Sequence, residues 1–255
     1  MGSRRCDMEK QLIKSKKMLW LITLLVLWEI IGSFEVIHPL ILPKISTIII
    51  RLMQGIVNGS ILIQAIHSLG IVTIGLIIGS VFGLIMACLD YFSSSLKALF
   101  ELLASMLHPL PGVVVLPIVI LFAGVGAEGI YLVIIHNVVW SFYLSAKNGF
   151  INVQKEYLEV AHNNGANNWQ LLFYVLLPLS TENIKTGVHI GWSRGWRGLI
   201  SSEMIFGAIS QIGGLGWYMY ERRSFMDTPG MYAGIVFVMF IGLFVEGYLL
   251  PKFNM

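Results

Sequence analysis

Apolar runs long enough to cross a bilayer recur about six times along this sequence, at residues 18–37, 60–89, 98–122, 130–146, 183–206 and 229–250. A spanning helix needs about 20 predominantly apolar residues. With every backbone polar group satisfied internally, helices are the economical way to place such runs in lipid. The chain is 56% hydrophobic and only 12% charged, against about 25% charged in soluble domains. A water-soluble fold of 255 residues could not hide that much apolar surface. The expected fold is therefore an all-α membrane protein with about six transmembrane helices and no room for a second soluble domain. A shorter segment, 45–57, with Lys44 before it and Arg51 on it, is too short to span and is expected to lie at the outer surface.

Charge placement sets the expected orientation. Arg4, Arg5, Lys10, Lys14, Lys16 and Lys17 precede the first apolar run. No aromatic-studded basic surface accompanies them, which argues against nucleic acid. The positive-inside rule reads residues 1–17 as a basic cytoplasmic tail ahead of a single membrane domain, 18–255. Counting spans returns the C-terminus, near Lys252, to the same side. Arg222 and Arg223 in the outer loop 207–228 run against the rule, flanked by Glu221 and Asp227. The start of the chain resembles a myristoylation signal but has Cys6 where Ser or Thr is required. The first run lacks a small-residue cleavage site and reads as a retained helix. Cys6 and Cys88 are the only cysteines and share no metal-ligand spacing.

Small residues line two faces. Gly75, Gly79, Gly83 and Ala87 recur every four residues in one span, and Gly187, Gly191 and Gly195 in another. Either face lets a helix approach closely, within this chain or in a second copy of it. Pro109, Pro111 and Pro117 crowd the third span. Each proline deletes a backbone donor, which leaves two readings: a tolerated kink, or a broken helix lining a pathway.

Charges within spans are costly and face a cavity or a partner. Arg194 and Arg197 lie three residues apart on one helix face. Guanidinium groups suit carboxylate, sulfonate or nitrate oxygens, so an anion pathway is one reading. An internal ion pair with Glu203 or Glu246 is the other, although Glu203, six residues beyond Arg197, falls on a different face. Glu29, Glu101 and Glu203 are expected to pair within the bundle or face an aqueous cavity. His136 and His189 lack the spacing of a metal site, and no nucleophile and base stand together.

The longest internal polar stretch, 147–169, is asparagine-rich and falls on the cytoplasmic side by span count. It predicts helix, turn, helix. Tyr157, Val160, Ala161 and Asn164 share a face, and Gly165 suits the left-handed residue past a helix end. Asn167 and Gln170 are spaced for a capping box, and Pro178 closes the second helix. Such a helix can seat in a groove on a soluble partner, or the stretch is a plain solvated loop.

Glu159-Val160-Ala161, Gly165 four residues later, and Leu177-Pro178 resemble the EAA loop of ABC importer permeases, with Val160 replacing the first alanine. Leu27-Trp28-Glu29, Leu42-Pro43, Pro109-Leu110-Pro111 with Pro117, the run Phe122-Ala123-Gly124-Val125-Gly126, the segment 196–204 and Gly213-Gly214-Leu215-Gly216 resemble the nitrate/sulfonate/taurine-type permeases. The resemblance covers about residues 20–250.

It implies a multi-pass subunit of the bacterial cytoplasmic (inner) membrane. A pair of permease copies forms the pore, a pair of cytoplasmic ATPases receives the coupling loop at about 147–182, and an external binding protein delivers substrate. Tyr157, Glu159, Val160, Ala161, Gly165, Ala166, Leu177 and Pro178 would couple to the ATPase. The chain contains no Gly-Lys pair and hence no phosphate loop. No cofactor is expected here, and ATP and Mg belong to the partner. The expected function is alternating-access import of a small anionic solute such as a sulfonate, taurine or nitrate. A secondary transporter is the alternative, although the inverted repeats usual there are not found. A membrane enzyme is a further one, against which stands the lack of a clustered His, Asp or Glu set.

Overall fold

The computed structural model describes residues 2–207 and 213–252, with side chains from Ser15 onward. Among these residues there are helices and no strands. They are α1 (Gly2–Ser33), α2 (Ile45–Val57), α3 (Ser60–Phe92), α4 (Ser94–Leu107), α5 (Gly112–Ala123) and α6 (Ala127–Ile151). There follow α7 (Lys155–Asn163), α8 (Asn168–Leu179), α9 (Thr181–Phe206), α10 (Leu215–Ser224) and α11 (Thr228–Lys252).

By length and apolarity, α3, α6 and α11 are candidate spans among the described residues, and α4 with α5 passes only as a bent pair. The third expected span is thus two helices meeting at 108°. Pro109 and Pro111 fall in the break, where a missing N–H and a fixed φ prevent continuation. Pro117 is carried inside α5. The fifth expected span, α9, is 26 residues long and holds Arg194, Arg197 and Glu203, so composition alone does not mark it. Residues 2–17, expected as a separate tail, continue the α1 helix, as a segment rich in Lys and Arg, with no Pro inside it, can. The expected outer loop is largely helical as α10, and its residues 208–212 lie outside those described.

The chain divides into two compact units. One comprises residues 1–60 and 219–237. In it Trp28 donates its indole N–H to the Pro43 carbonyl at 2.9 Å, across the α1–α2 connection. Glu29 accepts from the Ser46 hydroxyl at 2.8 Å and the Ser46 N–H at 3.2 Å. That serves a carboxylate expected to find a partner in the bundle. Thr228 and Tyr232 donate to the carbonyls of Leu40 and Ile41. Asp227 sits between Arg51 at 3.5 Å and Arg222 at 3.6 Å. The short α2 keeps Ile49, Ile50, Met53 and Val57 exposed, as a helix lying on an apolar phase would.

The other unit comprises residues 61–218 and 238–255. Its core is α6, held between α3 and α9. A methyl added at Gly75 would meet Ile134, at Gly79 Val138, and at Gly83 the Val139 carbonyl and Phe142. Opposite them, Gly187 faces Ser145 and Phe142, and Gly191 and Gly195 face Val138. Both glycine faces therefore serve packing inside one chain. Their pattern alone is not evidence for a second copy.

Candidate functional site

The helical hairpin of α7 and α8 follows local rules closely. After α7 the Ala166 N–H bonds the Ala161 carbonyl at 3.0 Å, and the Gly165 N–H that of His162 at 2.9 Å. This closure needs a left-handed residue, and Gly165 supplies it with φ +79°. Asn167 then accepts from the Gln170 N–H, and the Gln170 side chain accepts from the Asn167 N–H, both at 2.9 Å. The expected capping box is present. Within α8, residues Leu172–Leu176 form a π-helical turn. Pro178 is the reason: it lacks the N–H that would bond Tyr174, and its ring crowds that carbonyl.

Leu171, Leu172 and Leu176 anchor α8 in the core, whereas α7 buries no residue fully. Tyr157, Glu159, Val160 and Pro178 are exposed. Ala161, Ala166 and Leu177 are half-buried and sit on the inner side of the hairpin. The face expected from spacing is therefore split, with Tyr157, Val160 and Asn164 outward and Ala161 tucked under.

A second constellation lies halfway along α9. His108, Pro109, Leu110, Pro111, Gly112 and Val113 from the break between α4 and α5 face Arg194, Arg197, Gly198 and Ser201 from α9, with Asn137 of α6 between them. They line an open cavity of about 310 Å³. Asn137 is buried and donates to the Val133 carbonyl at 3.0 Å. Any side chain at Gly112 or Gly198 would collide with its amide, so these glycines are what admit Asn137 to the junction. Arg194 donates to the His108 carbonyl at 2.9 Å, satisfying part of the end of α4. Arg197 donates to the Ser193 carbonyl at 2.9 Å and hydroxyl at 3.0 Å on its own helix. Neither arginine has an acidic partner within ion-pair range among the described residues.

The structure thus joins Arg194, Arg197, Pro109 and Pro111 and leaves out Pro117 and Glu203. Glu203 is buried on another face of α9. It accepts from the Ser68 hydroxyl at 2.7 and 3.0 Å and from the Gly216 N–H at 2.8 Å, while the Leu215 N–H donates to Ser68 at 2.9 Å. A methyl at Gly214 would strike the Glu203 carboxylate. Glu203 fastens the 213–216 segment to α3 rather than balancing an arginine.

Sequence reading missed one buried charge group. Lys147 lies 3.1 Å from Asp90 and also bonds Glu101, and Tyr143 donates its hydroxyl to Asp90 at 2.7 Å. Asp90 and Lys147 fall just beyond the expected spans 60–89 and 130–146, but both are buried because α3 and α6 run past those ends. The available signal was opposite charge at two predicted span ends on one side of the membrane.

Spanning helices, a broken span beside unpaired arginines and a helical hairpin with a bare outer face together describe a membrane transport subunit. The chain belongs to the family of binding-protein-dependent transport system inner membrane components, whose profile matches residues 79–249. It is 26% identical over 231 residues to the taurine transport system permease protein TauC of Escherichia coli, covering 89% of this chain and 82% of that one. It is 25% identical to the putative aliphatic sulfonates transport permease protein SsuC of Bacillus subtilis, over 89% of this chain and 80% of that one. A riboflavin transport system permease protein, RibX of Chloroflexus aurantiacus, is 29% identical over 58% of this chain and 53% of its own length. The fold is similar to a chain of the MetNI methionine ABC transporter in inward-facing conformations, with TM-score 0.58 and 15% identity over 72% of this chain and 92% of that one. The protein is an ABC importer permease, a transport subunit rather than an enzyme, which works with an ATPase and a binding protein.

Proposed function

We propose that this permease carries a small anionic solute of the sulfonate, taurine or nitrate class, and that α7 is the element through which a cytoplasmic ATPase drives it. The observation that carries the coupling assignment is the build of the hairpin. Its inner side is anchored by buried leucines and a capping box, while Tyr157, Glu159 and Val160 stand bare on a rigid support. An exposed apolar and acidic helix face held this firmly is suited to a groove on a soluble partner. The taurine and sulfonate names of two relatives support the cargo class.

The remaining assignments follow from this orientation. Residues 147–182 form the coupling region, residues 1–17 and the C-terminus lie in the cytoplasm, and residues 18–255 form a single membrane domain. Two copies line the pathway, surrounded by lipid, with ATP and Mg held by the ATPases. Alternating access in such a dimer follows ATP binding and hydrolysis in the partner.

The test is reconstitution of the chain with its ATPase and binding protein in sealed vesicles. Import of the binding protein's cargo is expected to require ATP inside the cytoplasmic-facing compartment and to survive dissipation of ion gradients. Import that persists without ATP and collapses with the gradient would instead establish a secondary transporter.

A further inference from the structure

The geometry points to the cavity between the α4–α5 break and α9 as a binding station for the oxyanion end of the transported solute, specifically a sulfonate group. This rests on the permease reading and deepens it by naming the groups that hold the cargo.

The argument begins with cost. A guanidinium within a membrane span is expensive unless it is paired or faces water. Two of them open on one cavity, and neither has a carboxylate within ion-pair range among the described residues. Each spends part of its five donors on backbone or hydroxyl oxygens of this chain, and the remainder can serve a ligand. Glu203, the nearest candidate for an internal counter-ion in the sequence, is instead committed to Ser68 and Gly216. The positive charge is therefore left for something that comes and goes.

The opposite wall offers donors of another kind. Helix α5 starts at Gly112 behind Pro111, with no side chain capping it. Its first N–H groups lack intrahelical acceptors, and the helix start carries partial positive charge. Gly112 and Val113 both line the cavity. A broken helix whose start faces an anionic group is a recurring device at the middle of transport proteins. Ser201 adds a hydroxyl. A tetrahedral sulfonate has three oxygens pointing different ways, which matches donors arriving from α9 on one side and α5 on the other. Its organic tail would rest on Pro109, Leu110 and Val113. The cavity volume, about 310 Å³, lies at the lower end of ligand sites, about 300–1,000 Å³. Because Arg194 sits midway along the 26-residue α9, a lipid phosphate anchored at the membrane surface is badly placed to reach it.

The probe is ethanesulfonate, with ethyl methyl sulfone as its uncharged counterpart, titrated calorimetrically into the purified permease–ATPase complex in phosphatidylcholine nanodiscs. Saturable ethanesulfonate binding without sulfone binding is expected. Arg197→Gln should weaken it about ten- to a hundredfold, the loss of one charge-assisted hydrogen-bonded contact. Arg197 bonds only its own helix, so this variant is not expected to disturb the fold. Arg194→Lys should retain part of the affinity by keeping the charge. Equal binding of the sulfone, or unchanged affinity in Arg197→Gln, would overturn the site. So would loss of binding when phosphatidylglycerol is added, which would mark the site as one for lipid. ATP-driven uptake of the binding protein's cargo, measured on the same preparation in vesicles, separates the two levels. Uptake without ethanesulfonate binding discards the anion station and keeps the permease, whereas absence of both uptake and binding removes both.

Discussion

Lys147 shows what a single side chain does when two helices overrun their apolar stretches. Its ammonium is buried with Asp90 and touches Glu101 on α4, so one residue ties α3, α4 and α6 together. Tyr143 supplies a further hydrogen bond to Asp90. A buried pair of this kind adds little net stability over an apolar packing, but breaking it from one side strands a charge, at a cost of about 3–5 kcal/mol. Lys147→Met is therefore expected to lower complex yield and thermal midpoint strongly. Adding Asp90→Asn should restore much of the loss, because no buried carboxylate is then left unpaired and the remaining one, Glu101, is exposed. The measurement is the unfolding midpoint of the detergent-purified complex for the two single variants and the double. A double variant no better than Lys147→Met would show that the pair does not act as a unit. Legibility at this scale was uneven. Gly165, Asn167 and Gln170 could be assigned from local spacing because their bonds are local. Lys147 with Asp90, and Glu203 with Ser68, are separated by 57 and 135 residues in the chain, and helical periodicity carries no information about such partners. The arginines could be found by their cost in lipid, but not the Asn137 amide that shares their cavity.

At the level of elements, the apolar runs announced the helices, because bilayer thickness and the 3.6-residue period act on every one of them. The places where sequence reading fell short are those where a helix is polar or interrupted for a reason outside itself. Helix α9 carries Arg194 and Glu203 for groups on other segments, the His108 carbonyl and the Ser68 and Gly216 donors. The α4–α5 junction bends by 108°, which Pro109 and Pro111 permit without dictating the angle. The α7–α8 hairpin is the opposite case, since nearly all of its geometry is local. That makes Gly165 its most sensitive point. Nothing lies within 4 Å of the position a β-carbon would occupy, so substitution acts through the backbone alone. A β-branched residue at φ +79° is strained by about 1–2 kcal/mol, enough to open the turn and tilt α7 away from its support. Gly165→Val is expected to reduce ATPase co-purification or coupled transport while membrane insertion persists. Gly165→Asn should be milder, because Asn tolerates the left-handed region. Equal transport by the valine variant would sink the coupling assignment. The ranking of valine below asparagine ties any effect to φ rather than to lost space.

For the molecule as a whole, the open question is what covers the cavity side of α9. Arg197 is exposed in the single chain, and a guanidinium facing hydrocarbon is untenable. The glycine faces cannot answer for it, because both are consumed against α6. A second copy, placing its own α9 and α4–α5 junction across the cavity, would surround the arginines with water and polar groups and complete a pathway that one chain leaves open. Two-fold assembly also needs only one surface that complements itself. Native mass measurement of the complex purified through a tag on this chain is expected to give two copies with two ATPase subunits. Co-expression of tagged and untagged chains should then recover the untagged copy with the tagged one. A single copy beside a different permease would refute the homodimer and leave the family assignment standing. In that case the partner's face, rather than a repeat of Arg194 and Arg197, would supply the far wall, and Arg197→Gln would remove one guanidinium from the pathway instead of two.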